Sequence, residues 1–124
     1  MIIDSSAVLA FLRDEQGHEI VAKYLRNSFI STVNFSEIIS KYCSNGVSLE
    51  QARRAIDSLF AEIVTFDEEQ ACLTGELKML TKKLGLSLGD CACLALAKIK
   101  NLPVLTADKA WAKLDIGVKI QLIR

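Results

Sequence analysis

Four acidic side chains are the residues of this sequence whose types and positions could do chemistry together. Each follows a predicted strand or lies near a predicted helix start, where one rim of an α/β sheet could collect them. Because converging carboxylates repel one another, some would hold protons unless a cation neutralises the cluster. The ion that suits such oxygen ligands is a hard divalent one, Mg²⁺ or Mn²⁺. The four candidates are Asp4, Glu37, Asp90 and Asp108.

Two of these acids come after predicted strands. Asp4 follows the apolar residues 1–3, and Asp108 lies just past residues 104–106, at the end of a predicted strand. If the two strands are parallel neighbours, both carboxylates lie on the same rim. Ligands of open α/β sheets bind outside the carboxyl ends of the strands, so this rim is where a site is expected.

The other two acids, Glu37 and Asp90, fall in the first turns of predicted helices, where the helix dipole favours an ionised carboxylate. Both also have a structural explanation. Asn34 to Glu37 and Ser87 to Asp90 have the spacing of capping boxes, in which the acid reaches back to the helix start. The two strand-end acids could likewise be loop or turn residues. Only the joint placement of all four therefore favours a site.

Short apolar strands alternate with helices along the chain. This pattern predicts an α/β fold with a five-stranded, mostly parallel sheet flanked by helices. The predicted strands are 1–3, 29–30, 63–65, 103–105 and 118–122. The predicted helices are 7–12, 16–26, 34–43, 49–60, 73–84 and 88–100. The last helix is almost wholly apolar, so we expect it at the centre. The length of 124 residues, without linker or repeat, predicts one domain over residues 1–124.

The charge balance limits how the protein could hold a nucleic acid. Lys and Arg number 15, Asp and Glu number 15, and the formal net charge is +0 at pH 7. A protein that binds nucleic acid by bulk charge is normally clearly basic, so local geometry would have to do the holding. The candidate phosphate contacts, more simply explained as solvated charges, are Arg13, Lys41, Lys109 and Lys113.

Nothing in the sequence points to secretion or to a membrane. The N-terminus has no basic leader, and the longest hydrophobic run, residues 91–97, is far too short to span a bilayer. We expect a cytoplasmic protein with reduced cysteines. The cysteines, expected to be small buried side chains, are Cys43, Cys72, Cys91 and Cys93.

In its acidic segments the sequence resembles the PIN-domain ribonucleases, most closely the VapC-type toxins of VapBC toxin–antitoxin systems. The opening IIDSSAVLAFL is similar to the family's first strand and helix, and STVNFSEI to the segment that supplies its second acid. The most specific match is LGLSLGDCACLALA. The segment LPVLTADKAW resembles the family's last motif, although Ala107 stands where asparagine is common. These motifs, in order at the expected spacing, extend the resemblance over nearly the whole chain.

The resemblance implies five parallel strands and a divalent-metal endoribonuclease that hydrolyses RNA phosphodiester bonds. Metal ions held by carboxylates can neutralise charge on phosphate and activate a water without a nucleophilic side chain. Asp4, Asp90 and Asp108 would be direct or water-mediated ligands of Mg²⁺ or Mn²⁺. Glu37 would be either a further ligand or the group that orients the water. The supporting hydroxyls would be Ser5, Ser6 and Thr106.

The resemblance also implies partners. Toxins of this family form homodimers and are inhibited by a separately encoded antitoxin, so we expect an RNA substrate, a cognate antitoxin and a homodimer. Apolar stripes on helices 49–60 and 73–84 agree with a shared surface, with Leu77 as a residue to probe it. The antitoxin is expected to place a basic side chain near Glu37 and Asp90, where it would compete with the metal.

Other functions stay open at this stage. A nuclease of the same fold could act in RNA processing or on DNA, and a non-catalytic PIN-like module could bind without cleaving. A phosphoacceptor receiver domain has a similar length and element order. It needs an acidic pair after the first strand and a lysine after the fifth. Here a single Asp4 is followed by two serines, and only Ile123 and Arg124 follow the fifth predicted strand, which leaves no room for that lysine.

Overall fold

The sheet is wholly parallel and has its N-terminal strand in the middle. The computed structural model describes all residues from Met1 to Arg124. The strands are β1 (Ile2–Ile3), β2 (Phe29–Ser31), β3 (Glu62–Val64), β4 (Val104–Thr106) and β5 (Ile120–Leu122). Their order across the sheet is β3-β2-β1-β4-β5, and every neighbouring pair is parallel. The predicted α/β class with a five-stranded, mostly parallel sheet is confirmed.

Helices supply most of the connections, because parallel neighbours need a crossover. The α-helices are α1 (Ser5–Leu12), α2 (His18–Tyr24), α3 (Thr32–Ser44), α4 (Leu49–Ile56), α5 (Glu68–Leu80) and α6 (Leu88–Lys100). Three short 3₁₀ helices cover Leu25–Asn27, Lys82–Leu84 and Lys109–Lys113. None of the helices is long and apolar enough to cross a membrane.

Successive residues of β1 divide the apolar core into two halves. Side chains alternate between the faces of a strand, so Ile2 and Ile3 point to opposite sides of the sheet. Ile2 belongs to the cluster formed with α5 and α6, and Ile3 belongs to the cluster formed with α1, α2, α3 and α4. Both isoleucines are fully buried. Burial of such a side chain stabilises the fold by roughly 1.5–3 kcal/mol, so the centre of the sheet is held from both faces.

The register between β1 and β4 fixes where the first acid leaves the sheet. Ile3 pairs with Leu105, and the next N–H along, that of Asp4, donates to the carbonyl of Leu105 at 3.0 Å. Asp4 therefore emerges beside Thr106, the last residue of β4. Strands β1 and β4 are thus parallel neighbours, which is the arrangement that a shared rim requires.

The apolar helix α6 lies within its predicted bounds, and all of residues 91–97 are buried. The other helices differ from the prediction at one or both ends, and the largest differences are in α4 and α5. Helix α4 ends at Ile56 instead of residue 60, because Ala61 already donates to the backbone just before β2. Helix α5 starts at residue 68 instead of 73, because the side chain of Asp67 caps it by accepting from the N–H of Gln70 at 2.9 Å.

Burial separates the cysteines into two pairs. Cys91 and Cys93 are buried in α6, as predicted, whereas Cys43 on α3 and Cys72 on α5 are exposed. The expectation of four buried cysteines is wrong for the second pair, because they lie on helix positions that no other element covers. All four thiols are free.

Candidate active site

Asp4 is a carboxylate removed from water at the carboxyl edge of the sheet. Its side chain is 3% exposed. Its Oδ2 accepts hydrogen bonds from Ser6 Oγ at 2.6 Å and from Thr106 Oγ1 at 2.8 Å. The pKa of Asp4 is raised to about 6, mainly by burial and to a smaller extent by the charges of Asp90 and Glu37, whereas the hydrogen bonds from the two hydroxyls lower it. The acid is therefore held in a place where a cation would favour its charged form.

The two hydroxyls that contact Asp4 also tie the end of β4 to the start of α1. Ser6 Oγ accepts from the N–H of Ala107 at 3.0 Å, and Thr106 Oγ1 accepts from the N–H of Asp108 at 3.1 Å. Each hydroxyl thus donates to the carboxylate and accepts from the backbone after β4. This pattern places Asp108 on the same rim as Asp4 through its main chain.

Glu37 joins three helices. Its Oε1 accepts from Ser5 Oγ at 3.0 Å and from Asn34 Nδ2 at 2.8 Å, and the same Nδ2 donates to the carbonyl of Gly89 at 3.0 Å. Residues of α1, α3 and α6 therefore meet at this carboxylate. The charge of Glu37 acts on Asp4, which shows that the two acids share one electrostatic environment.

The capping box predicted from Asn34 to Glu37 is wrong. Helix α3 starts two residues earlier than predicted, at Thr32, because Ser31 caps it by accepting from the N–H of Val33 at 3.2 Å. Glu37 consequently lies in the second turn of the helix and not in the first. Its carboxylate faces other elements instead of its own helix start.

The second predicted capping box is present. Asp90 Oδ2 accepts from the N–H of Ser87 at 2.9 Å, and Ser87 Oγ accepts from the N–H of Asp90 at 3.1 Å. Asp108 has a similar local role at the start of the last 3₁₀ helix, where its Oδ1 accepts from the N–H of Ala110 at 3.0 Å. Capping and site formation are therefore not exclusive roles for these acids.

In each of the four carboxylates, the two oxygens differ in their hydrogen bonds. In each, one oxygen accepts hydrogen bonds from the protein and the other makes none. The oxygens without a protein hydrogen bond are Asp4 Oδ1, Glu37 Oε2, Asp90 Oδ1 and Asp108 Oδ2. A donor set made only of carboxylate oxygens suits Mg²⁺ or Mn²⁺ rather than zinc or copper.

The carboxylates are near one another without forming a closed cage. The charges of Asp90 and Glu37 both raise the pKa of Asp4, whereas the charge of Asp108 does not contribute to this shift. No group of three or more His, Cys, Asp or Glu side chains is arranged to hold a metal ion directly. The structure thus brings Asp4, Glu37 and Asp90 together and adds Asp108 through its backbone. The residues fit a divalent ion by chemistry, and a bound ion would need rotation of side chains or intervening water to complete its shell.

Three residues of the site escape prediction from the sequence. Asn34 and Gly89 contact Glu37, and neither is an ionisable group whose spacing could indicate a role. Cys93 is fully buried, and its pKa is raised by burial and then by the charges of Asp4, Asp90 and Glu37. Its position three residues after Asp90 in a helix was the one available signal, because such residues share a face.

The candidate phosphate contacts remain free of ion pairs. Arg13 and Lys41 line a cavity of about 140 Å³ between the ends of α1 and α3, with Tyr42 as its aromatic wall. Lys41 lies four residues after Glu37, one turn along the same helix face. Lys109, exposed, directly follows Asp108. Neither these cations nor Lys113 lies within 4.0 Å of a carboxylate oxygen.

Comparison with known proteins identifies the family of the chain. The sequence profile of the PIN domain matches residues 1–117. The chain therefore belongs to the PIN-domain family. It is 30% identical over 131 residues to the VapC ribonuclease Mb0625 of Mycobacterium bovis and to ribonuclease VapC28 of Mycobacterium tuberculosis, with 94% of this chain and 92% of each relative covered. The resemblance drawn from the acidic motifs is confirmed.

Solved structures show the same fold. A toxin–antitoxin complex from Klebsiella pneumoniae contains a chain that superposes with a TM-score of 0.78 at 19% identity. The superposition covers 99% of this chain and 97% of that one.

Proposed function

We propose that this chain is an endoribonuclease, the toxin of a type II toxin–antitoxin pair, which hydrolyses RNA phosphodiester bonds with a bound divalent ion. The observation that carries the proposal is the rim on which four carboxylates each keep one oxygen free of protein hydrogen bonds. Membership of the PIN-domain family and the VapC relatives support ribonuclease activity.

The residues of the rim divide the chemistry between them. Mg²⁺ or Mn²⁺, when bound, would supply positive charge for the phosphate and lower the pKa of an attacking water. Asp4, Asp90 and Asp108 would hold the ion directly or through water. Glu37 is either a further ligand or the acceptor that orients the water, through its Oε2. The hydroxyls that fix these carboxylates belong to Ser5, Ser6 and Thr106.

The path of the RNA would begin at this rim and follow local positive charge. Arg13 and Lys41 line the cavity between α1 and α3, one helix turn beyond Glu37. Both side chains lack carboxylate partners in the protein, so they are free to contact phosphates. With a formal net charge of +0, such local contacts rather than bulk charge would hold the strand.

The proposed partners are a cognate antitoxin and a second copy of the chain. The similarity to a toxin–antitoxin complex supports the antitoxin. An antitoxin arginine near Glu37 and Asp90 would pair with carboxylates that otherwise bind the ion. Exposed apolar side chains on α5, Met79 and Leu80, support a homodimer. We further propose that residues 1–124 form one domain that acts in the cytoplasm, where its RNA substrate would be.

The test is cleavage of a labelled RNA by the purified protein with Mg²⁺ or Mn²⁺. We expect cleavage that EDTA abolishes and that Asp4→Asn lacks, although circular dichroism shows the variant folded. A DNA strand of the same sequence is the matched substrate control, and cleavage of that strand alone would favour a DNA nuclease. Binding of RNA without cleavage by the wild-type protein would favour the non-catalytic module and contradict the proposal.

A further inference from the structure

The side chain of Asn34 is committed to two contacts at the site. It is fully buried, and its Nδ2 donates to Glu37 Oε1 at 2.8 Å and to the carbonyl of Gly89 at 3.0 Å. Its own Oδ1 is buried without a hydrogen-bond partner. Turning the amide over would set Oδ1 against a carboxylate and a carbonyl, two acceptors, so its orientation is fixed. An orphaned buried oxygen is unfavourable, which indicates that the position serves the contacts of Nδ2.

Helix formation does not require Asn34. The N-terminus of α3 is capped by Ser31, and Asn34 lies inside the helix, where asparagine is a poor helix former. The contacts of its amide go to Glu37, one turn along, and to a different helix. Local structure therefore leaves this residue unexplained, whereas the orientation of Glu37 explains it.

Gly89 packs directly against the carboxylate of Glu37. A β-carbon at this position would lie 2.6 Å from Glu37 Oε2 and 2.9 Å from its Cδ, both well inside contact distance. The backbone of Gly89 does not demand glycine, because its φ is not positive. What the missing side chain supplies is room, which lets the carboxylate lie against the first turn of α6 beside Asp90.

We propose that Asn34 and Gly89 are positioning residues that hold the Glu37 carboxylate in a single orientation at the acidic rim. The side chains of Asn34 and Ser5 hold Glu37 Oε1 by hydrogen bonds. Gly89 has no β-carbon, so it leaves room for Glu37 Oε2. The consequence for RNA hydrolysis rests on the proposed function, whereas the placement of the carboxylate does not.

The first experiment compares Gly89→Ala with Gly75→Ala. Gly75 is the matched control, because it also lies inside a helix, α5, and a β-carbon there would meet nothing within 4 Å. Alanine favours helix over glycine, so both variants should melt at or above the wild-type temperature. Gly89→Ala should lower kcat for RNA cleavage by about 100-fold, as a displaced catalytic group does, with KM for RNA nearly unchanged. Gly75→Ala should match the wild type in both constants.

Equal kcat values for Gly89→Ala and the wild type would overturn the proposal. So would a loss in Gly89→Ala that follows a lowered melting temperature, since that result would indicate a purely structural role.

The second experiment asks whether Asn34 acts through Glu37. Asn34→Ala should lower kcat in the wild-type background and have no further effect in a Glu37→Ala background, because the group it positions is then gone. An equal fold-loss in both backgrounds would contradict the proposal. This comparison also covers the case in which Gly89→Ala fails to fold.

A readout that needs no activity separates this proposal from the proposed function. The Asn34 side-chain amide, with both protons hydrogen-bonded and buried, should give ¹⁵N-resolved NMR signals that exchange slowly with water. Gly89→Ala and Glu37→Ala should shift those signals and speed their exchange, whereas Gly75→Ala should not. If the wild type cleaved no RNA but these shifts occurred, the proposed function would fail and the positioning would stand. Unchanged signals in Gly89→Ala would overturn the positioning itself.

Discussion

At the scale of single residues, Asp4 is the only carboxylate of the rim that is buried, and its pKa is raised to about 6 from 3.8. A raised pKa means that the folded state binds the proton more tightly than the unfolded state. Below about pH 4, Asp4 is protonated in both states and costs no stability. As pH rises from about 4 to about 6, the free energy of unfolding falls, because the unfolded state releases the proton more readily than the folded state. Without metal, the ionised Asp4 should destabilise the protein at neutral pH by up to about 3 kcal/mol.

This linkage predicts that Asp4→Asn stabilises the metal-free protein, and does so more at pH 7.5 than at pH 4.5. The measurement is urea unfolding of both proteins in EDTA at the two pH values. The difference between the variant and the wild type isolates Asp4 from the other titrating acids. A difference that does not change with pH would show that burial does not control the protonation of Asp4.

The four acids could be predicted from the sequence because their types and their places after strands or near helix starts are local features. Their hydrogen-bond partners could not. Asn34 looked like a helix cap, and only the packing of α3 against α6 shows that its amide reaches Gly89. Contacts of this kind depend on tertiary placement, which no local spacing encodes.

At the scale of elements, α6 is the helix that carries Asp90 to the rim, and the capping box of Ser87 fixes its first turn. Helix α4 has the same capping box, in which Ser48 Oγ accepts from the N–H of Gln51 at 3.2 Å, and neither residue has a hydrogen bond to a rim carboxylate. The two caps form a natural pair of variants, one tied to the site and the other not.

Ser87→Ala and Ser48→Ala should each lower the free energy of unfolding by about 1 kcal/mol, the usual effect of losing such a cap. Only Ser87→Ala should also lower metal-dependent RNA cleavage, by roughly tenfold, because it loosens a group that orients a metal ligand. Unfolding curves and initial rates measured on the same preparations check both parts. Equal rates in the two variants would show that the cap of α6 acts on stability alone.

The bounds of the elements could be predicted where an apolar pattern coincided with a cap. Ser87 and the apolar run 91–97 gave α6 its observed bounds. The apolar stripe of α4 gave its correct start at Leu49 and an incorrect end, and the stripe of α5 gave a correct middle and two incorrect ends. Asp67 starts α5 five residues before its predicted start, and the turn into β3 ends α4 early. Caps and turns decide ends, whereas apolar periodicity does not.

At the scale of the whole molecule, the site depends on β1 lying between β2 and β4. The sequence did not predict this order, because alternation of strands and helices is common to many parallel sheets. The structure also shows that Leu77 is the wrong residue for probing the proposed dimer interface. Leu77 is fully buried in the core, so Leu77→Glu would unfold the chain rather than test an interface.

Met79 and Leu80 replace it as probes of the proposed homodimer, since they are 67% and 60% exposed at the end of α5. Light scattering should give about twice the 13.7 kDa of the chain. Leu80→Glu should shift the protein toward the monomer, and Ile99→Glu on α6 serves as an exposed control. A wild-type monomer at high micromolar concentration would refute the assembly and leave the catalytic proposal unaffected.

The central claim, that the rim carboxylates jointly bind a divalent ion, is tested most directly by thermal unfolding with and without Mn²⁺. An ion that binds only the folded state stabilises it by about 2.7 kcal/mol at 100 times its Kd, so the melting temperature of the wild type should rise. The double variant Asp90→Asn with Asp108→Asn should lose most of that rise. An equal rise in the double variant would place the ion elsewhere and contradict the account.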